Sequence, residues 1–131
     1  MTKRIPDTAL DLFQKPILAH FATIMPDGTP QVTPVWVDFD GTYVLINTAK
    51  GRRKTLNVEQ QPKVGLDLVD SANPFHWLSV RGHVAEITEE GADAHIDKLA
   101  KKYIGVDIYP GHRDDETRVI LKITPEQVVA Q

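Results

Sequence analysis

The sequence predicts a mainly β fold: an antiparallel barrel of six short strands with two or three small helices. Three observations carry this. Short segments of alternating apolar residues recur along the chain, each bounded by Gly, Pro, Asn or Asp. One segment alone, 88 to 104, carries a long apolar stripe at helical spacing. The length of 131 residues suits one domain, because two would each have a thin core. The chain is therefore expected to form a single domain over 1–131.

The elements follow in order. Asp7 or Thr8 caps a short helix carrying Leu10, Leu12 and Phe13, which Pro16 ends. Ile17 to Ile24 reads as a strand, followed by the turn Met25-Pro26-Asp27-Gly28. Gln31 to Phe39 reads as a second strand, with Pro34 demanding an edge or a bulge because it lacks an N–H. Asp40-Gly41 is a tight turn and Tyr43 to Asn47 the return strand, so 17 to 47 is expected to be a three-stranded meander. Gly51 breaks the pattern, and a short helix around Leu56 and Val58 ends before Pro62. Val64 to Val69 is a fourth strand and Phe75 to Ile87 a long fifth. In the fifth, Gly82 marks a bulge or the close approach of another backbone. Thr88 caps the next helix, with Ile96 and Leu99 buried and Lys98, Lys101 and Lys102 solvated, and Gly105 stops it. A polar loop over 106–116 precedes a sixth strand, Arg118 to Ile123, and the tail follows Pro125.

Composition excludes several functions. With 15 Lys and Arg against 18 Asp and Glu, the formal charge of −3 gives no support for a wholesale nucleic-acid binder. The absence of cysteine excludes a disulfide scaffold, a thiolate metal site and a cysteine nucleophile. No apolar run approaches the roughly 20 residues of a membrane span, and no signal peptide is visible, so a cytoplasmic location without a membrane partner is expected.

The densest chemical signal is Lys50, Arg52, Arg53 and Lys54, where a strand passes through Gly51 into a helix start. Free N–H groups and the positive helix end favour an anion there. Arg forks two phosphate oxygens, Lys adds a point charge, and Thr48, Thr55 and Asn57 offer neutral hydrogen bonds. A solvated basic turn is the competing reading. Trp36 and Trp77 suit either a core or an interface. The five histidines show no helical metal spacing, so no metal site is expected, and Ser79 lacks a nucleophile elbow.

Four segments in order resemble the pyridoxamine 5′-phosphate oxidase-like split-barrel family. They are Leu18 to Trp36 as the opening hairpin, Lys50 to Val58 as the phosphate-binding turn and helix, Pro62 to Leu66, and Trp77 to Ile87. Within it the chain looks most like the branch that uses the deazaflavin coenzyme F420. The run Arg52-Arg53-Lys54-Thr55-x-Asn57 and the stretch from Ala92 to Tyr103 carry that likeness.

The resemblance implies a split β-barrel of the FMN-binding type. It further implies an F420-dependent oxidoreductase that transfers a hydride between reduced deazaflavin and a small electrophilic acceptor. The cofactor carries that chemistry and the protein orients it. Thr33, Pro34 and Val35 would line the ring edge. Thr48, Lys50, Arg52, Arg53, Lys54 and Asn57 would hold the phosphate-bearing chain, with Trp77 supplied by a second subunit of a homodimer. No catalytic residue is compelled. An FMN-dependent oxidoreductase of the same fold, a non-enzymatic cofactor carrier and an oligonucleotide-binding barrel are the alternatives.

Overall fold

The computed structural model describes residues 2–131. Seven antiparallel strands form a single curved sheet in the order β2-β1-β5-β6-β7-β4-β3. In chain order these are β1 (Ala19–Ile24), β2 (Pro30–Val35), β3 (Val37–Phe39), β4 (Val44–Ala49), β5 (Lys63–Asp70), β6 (Asn73–Thr88) and β7 (Arg118–Ala130). A short 3-10 turn (Asp7–Ala9) leads into α1 (Asp11–Gln14), and α2 (Arg53–Gln60) and α3 (Ala92–Ile104) follow later. Phe21, Leu12, Ile46, Leu68, Leu78, Leu121 and Ile123 fill the interior and are almost fully buried. That burial of apolar side chains drives the sheet to curl around a packed core rather than an open lumen.

The sequence expectation of six strands becomes seven, because the segment 31–39 is two strands. Trp36 separates β2 from β3, and these two strands lie at opposite edges of the sheet. The expected meander over 17–47 is therefore two hairpins: β2 pairs with β1, while β3 pairs with β4. The physical reason lies in the donors. Pro34 has no N–H, and the Val37 N–H leaves the ladder to donate to Tyr103 Oη at 3.1 Å. Tyr103 in turn donates to the Ile17 carbonyl at 2.6 Å, so one phenol ties both sides of the break.

Three further expectations change. The last strand continues through Pro125 to Ala130 instead of ending at Ile123. Pro125 is tolerated opposite Gly82, where the β6–β7 register shifts. A Cβ built on Gly82 would stand 1.9 Å from the Thr124 carbonyl oxygen, so glycine here answers a close backbone approach. The helix expected from Thr88 begins at Ala92, with Gly91 in the left-handed region as its N-cap, while β6 runs on to Thr88. Ile96 and Leu99 are buried, but Lys102 is half-buried. It donates to the carbonyls of Phe13 and Val37, and burial brings its ammonium down to about 8. No helix among the described residues is long and apolar enough to cross a membrane.

Candidate functional site

The break at Trp36 opens a cavity of about 280 Å³. Its walls come from distant parts of the chain: Leu18, Pro34, Val35 and Trp36 on one side, Asn47 and Thr48 of β4 beneath, and Arg52 and Lys54 at the start of α2. Ile96, Tyr109 and Arg118 complete the lining. Trp36 is held by stacking on Tyr103, with centroids 5.1 Å apart and planes 6° from parallel. Tyr109 meets its edge at 5.9 Å and lies under the Arg118 guanidinium at 5.5 Å.

One end of the cavity is strongly cationic. Arg118 is buried, with its Nε donating to Asn47 Oδ1 at 2.9 Å. Asn47 is itself fixed by donating Nδ2 to the Ala92 carbonyl. Lys54 is half-buried and makes no hydrogen bond or ion pair with the described residues. Burial, and then the charges of Arg52 and Arg118, depress its ammonium below the usual lysine range. One carboxylate, Glu116, answers these three cations, bonding to Arg52 and Arg118. The N-cap residue of α2, Arg52, makes no side-chain capping bond to its first turn. Thr48 Oγ1 is the buried side-chain polar atom that finds no partner among the described residues. A buried hydroxyl without a partner is destabilising, so its place beside three cations fits an anion that accepts from all four.

Of the residues expected from the sequence to bind a cofactor, Pro34, Val35, Thr48, Arg52 and Lys54 meet in this cavity. The others lie outside its lining. Thr33 pairs with Phe21 in the β1–β2 ladder. Lys50 forms an ion pair with Glu89. Arg53 donates to Asn57 Oδ1 at 3.0 Å, and Asn57, almost wholly buried, donates to Thr23 Oγ1 at 2.9 Å. These bonds tie α2 to itself and to β1. Trp77 pairs with Val69 at the outer end of β6. Each of the five histidines stands within 3.1 Å of a carboxylate oxygen, including His83 beside Glu126.

Asn47, Ile96, Tyr109 and Arg118 line the cavity without having been singled out. Arg118 carried one usable signal: an arginine that opens the apolar run Val119-Ile120-Leu121.

The family profile of pyridoxamine 5′-phosphate oxidase matches residues 5–131. The chain belongs to that family. A solved structure titled F420 reductase is 32% identical, with a TM-score of 0.86 over 97% of this chain and 100% of that one. HupZ of Group A Streptococcus is 23% identical with a TM-score of 0.66, over 96% of this chain and 93% of its own. The General Stress Protein 26 of Bacillus anthracis is 16% identical with a TM-score of 0.68, over 95% of this chain and 91% of its own. These last two likenesses show the fold alone. No curated protein matches the chain in sequence.

Proposed function

We propose that this chain is an oxidoreductase that binds coenzyme F420 and transfers a hydride between the reduced deazaflavin and a small electrophilic organic acceptor. The observation that carries the reading is the unpartnered Thr48 hydroxyl beside Arg52, Lys54 and Arg118, at the polar end of a cavity walled by Trp36, Pro34 and Val35. A phosphate-bearing chain with a planar ring has this polarity. The likeness to an F420 reductase, at 32% identity over almost the whole chain, favours the deazaflavin over FMN.

When bound, the deazaflavin supplies the hydride chemistry. The chain's own residues bind and orient. Arg52 and Arg118 would offer forked donors and Lys54 a point charge to the phosphate, and Thr48 Oγ1 would donate to it. Trp36, fixed by stacking on Tyr103, and the Pro34-Val35 segment would flank the ring and keep water from it. At about 280 Å³ the cavity would take only part of such a cofactor, and the remainder would extend past its rim. A homodimer, with the second subunit closing that rim, is part of the proposal.

Parallel titrations with F420 and FMN, each followed by assay with nitro and enone acceptors, test this. The expected outcome is tight F420 binding, weaker FMN binding and acceptor-dependent oxidation of F420H2. Tight FMN binding with a yellow purified protein would move the reading to a flavoenzyme of the same fold. F420 binding without turnover on any acceptor would make the chain a cofactor carrier.

A further inference from the structure

The two arginines that face the cavity share one carboxylate behind them. Glu116 Oε2 accepts from Arg52 Nη2 at 3.0 Å, and Glu116 Oε1 accepts from Arg118 Nη1 at 2.9 Å. Arg52 comes from the start of α2 and Arg118 from the start of β7, so this carboxylate joins two elements that no strand ladder connects at that point. The Glu116 side chain is only 12% exposed. It lines not the cavity with Trp36 but a polar recess of about 190 Å³ next to it, with Asp93, His112 and Arg113. The recess and the cavity share Arg118 as their common wall. Hydrogen bonds from Arg52 and then Arg118 hold the Glu116 carboxyl below the usual range, so it is ionised at neutral pH.

Glu116 therefore does not touch a ligand in the cavity and acts on it through the two guanidiniums. Three cations and this one carboxylate leave a formal charge of +2 at the anion end. A phosphomonoester, with a second pKa of about 6, carries close to −2 above neutral pH, and a phosphodiester carries −1. Any charge placed behind the arginines is felt by the ligand in proportion to the ligand's own charge. A negative charge there disfavours a dianion twice as strongly as a monoanion.

We propose that Glu116 sets the charge preference of this anion site, holding back phosphomonoester dianions relative to phosphodiester monoanions. Glu116 is thus a positioning residue with a role in specificity. The inference rests on the reading that the cavity holds a phosphate-bearing cofactor.

The test uses displacement of bound cofactor, F420 or FMN, whichever the parent protein binds. Methyl phosphate and dimethyl phosphate compete at pH 8 and one salt concentration. In Glu116→Gln the competing power of methyl phosphate relative to dimethyl phosphate should rise by about threefold to tenfold over the parent. Glu116→Asp keeps the charge but shortens the reach to the arginines. It should weaken both competitors together and leave their ratio unchanged. A merely structural glutamate would alter both competitors equally in either variant. An E116Q ratio equal to the parent's, or an E116D ratio shifted as far as that of E116Q, overturns the inference while the cofactor reading stands. A parent that binds neither F420 nor FMN overturns the cofactor reading and this inference with it.

Discussion

Where α1 meets β5 and β6, Asp11, Lys15, Asp70 and His76 bring two carboxylates and two bases together, while at the cavity Arg52 and Arg118 share Glu116 and Lys54 has no partner among the described residues. In the first cluster Lys15 bonds both carboxylates and His76 Nε2 meets Asp11 Oδ1 at 3.0 Å, with the His76 Nδ1 on the Gln131 carbonyl. Every charge is answered from within, and what the cluster does is tie α1 to β5 and β6. In the second cluster the cations outnumber the carboxylate, and neither Lys54 nor Thr48 Oγ1 finds a partner among the described residues. A group of charged residues becomes a candidate site through its imbalance rather than its density. A closed network stabilises the free protein, whereas an open one is stabilised by what it binds.

The largest expected effect breaks the open cluster. A charge-assisted hydrogen bond contributes roughly 1.5–3 kcal/mol, so Arg52→Ala and Lys54→Ala should each raise the F420 dissociation constant about tenfold to a hundredfold. Arg53→Ala, whose side chain bonds Asn57 outside the lining, should change it less than about threefold. Isothermal titration at one salt concentration checks all three. Equal losses for Arg53 and Lys54 would show that nonspecific charge, not the cavity, attracts the ligand.

The next effect separates binding from stability at one atom. Thr48→Val keeps the shape and removes the orphaned hydroxyl. It should weaken F420 binding about fivefold yet leave the free protein as stable as the parent or up to ~1 kcal/mol more stable. Denaturant unfolding and titration of the same sample decide it. A loss of stability would mean that Thr48 Oγ1 has a partner in the free protein, and the open cluster would then be closed.

The smallest effect sharpens the closed cluster. Hydrogen bonding to Asp11, and then to the Gln131 carbonyl, raises His76 above its ordinary 6.5. Its contribution is therefore fully present below 6.5 and fades as pH climbs through the raised value. Asp11 and Asp70 are held below their ordinary 3.8, Asp11 by His76 first and Asp70 by the Ala72 N–H first. Their contributions are present above 3.8 and are lost as pH falls through the lowered values. His76→Gln should accordingly lower Tm most between about pH 4 and 6.5, and by less at pH 8. F420 binding by this variant should match the parent at every pH.

Much of the framework was legible in the sequence because it depends on local pattern. The alternation in 17–24, 64–69 and 75–87 and the stripe through Ile96 and Leu99 mark elements that local burial decides. Gly82 signalled its close backbone approach for the same reason. The break at Trp36 was not legible, since apolar alternation runs through it from Val35 to Val37 and only Tyr103, far along the chain, supplies the missing acceptor. Half the cavity shares that difficulty. Thr48, Arg52 and Lys54 stand together in a basic run that draws attention, whereas Asn47, Tyr109 and Arg118 matter only because β7 pairs with β4 and the 106–116 loop folds over the gap. Lys50 and Arg53 illustrate the converse: charge density singled them out, and Glu89 and Asn57 engage them.

The sheet order has a consequence for how the cavity is held together. In the sheet, β7 is the strand that pairs on one side with the β2-β1-β5-β6 group and on the other with the β4-β3 hairpin. The Pro34-Val35 wall belongs to the first group and the Thr48 floor to the second. Loosening β7 would weaken the join between that wall and that floor, so cofactor capture would report that the two parts of the sheet are held together.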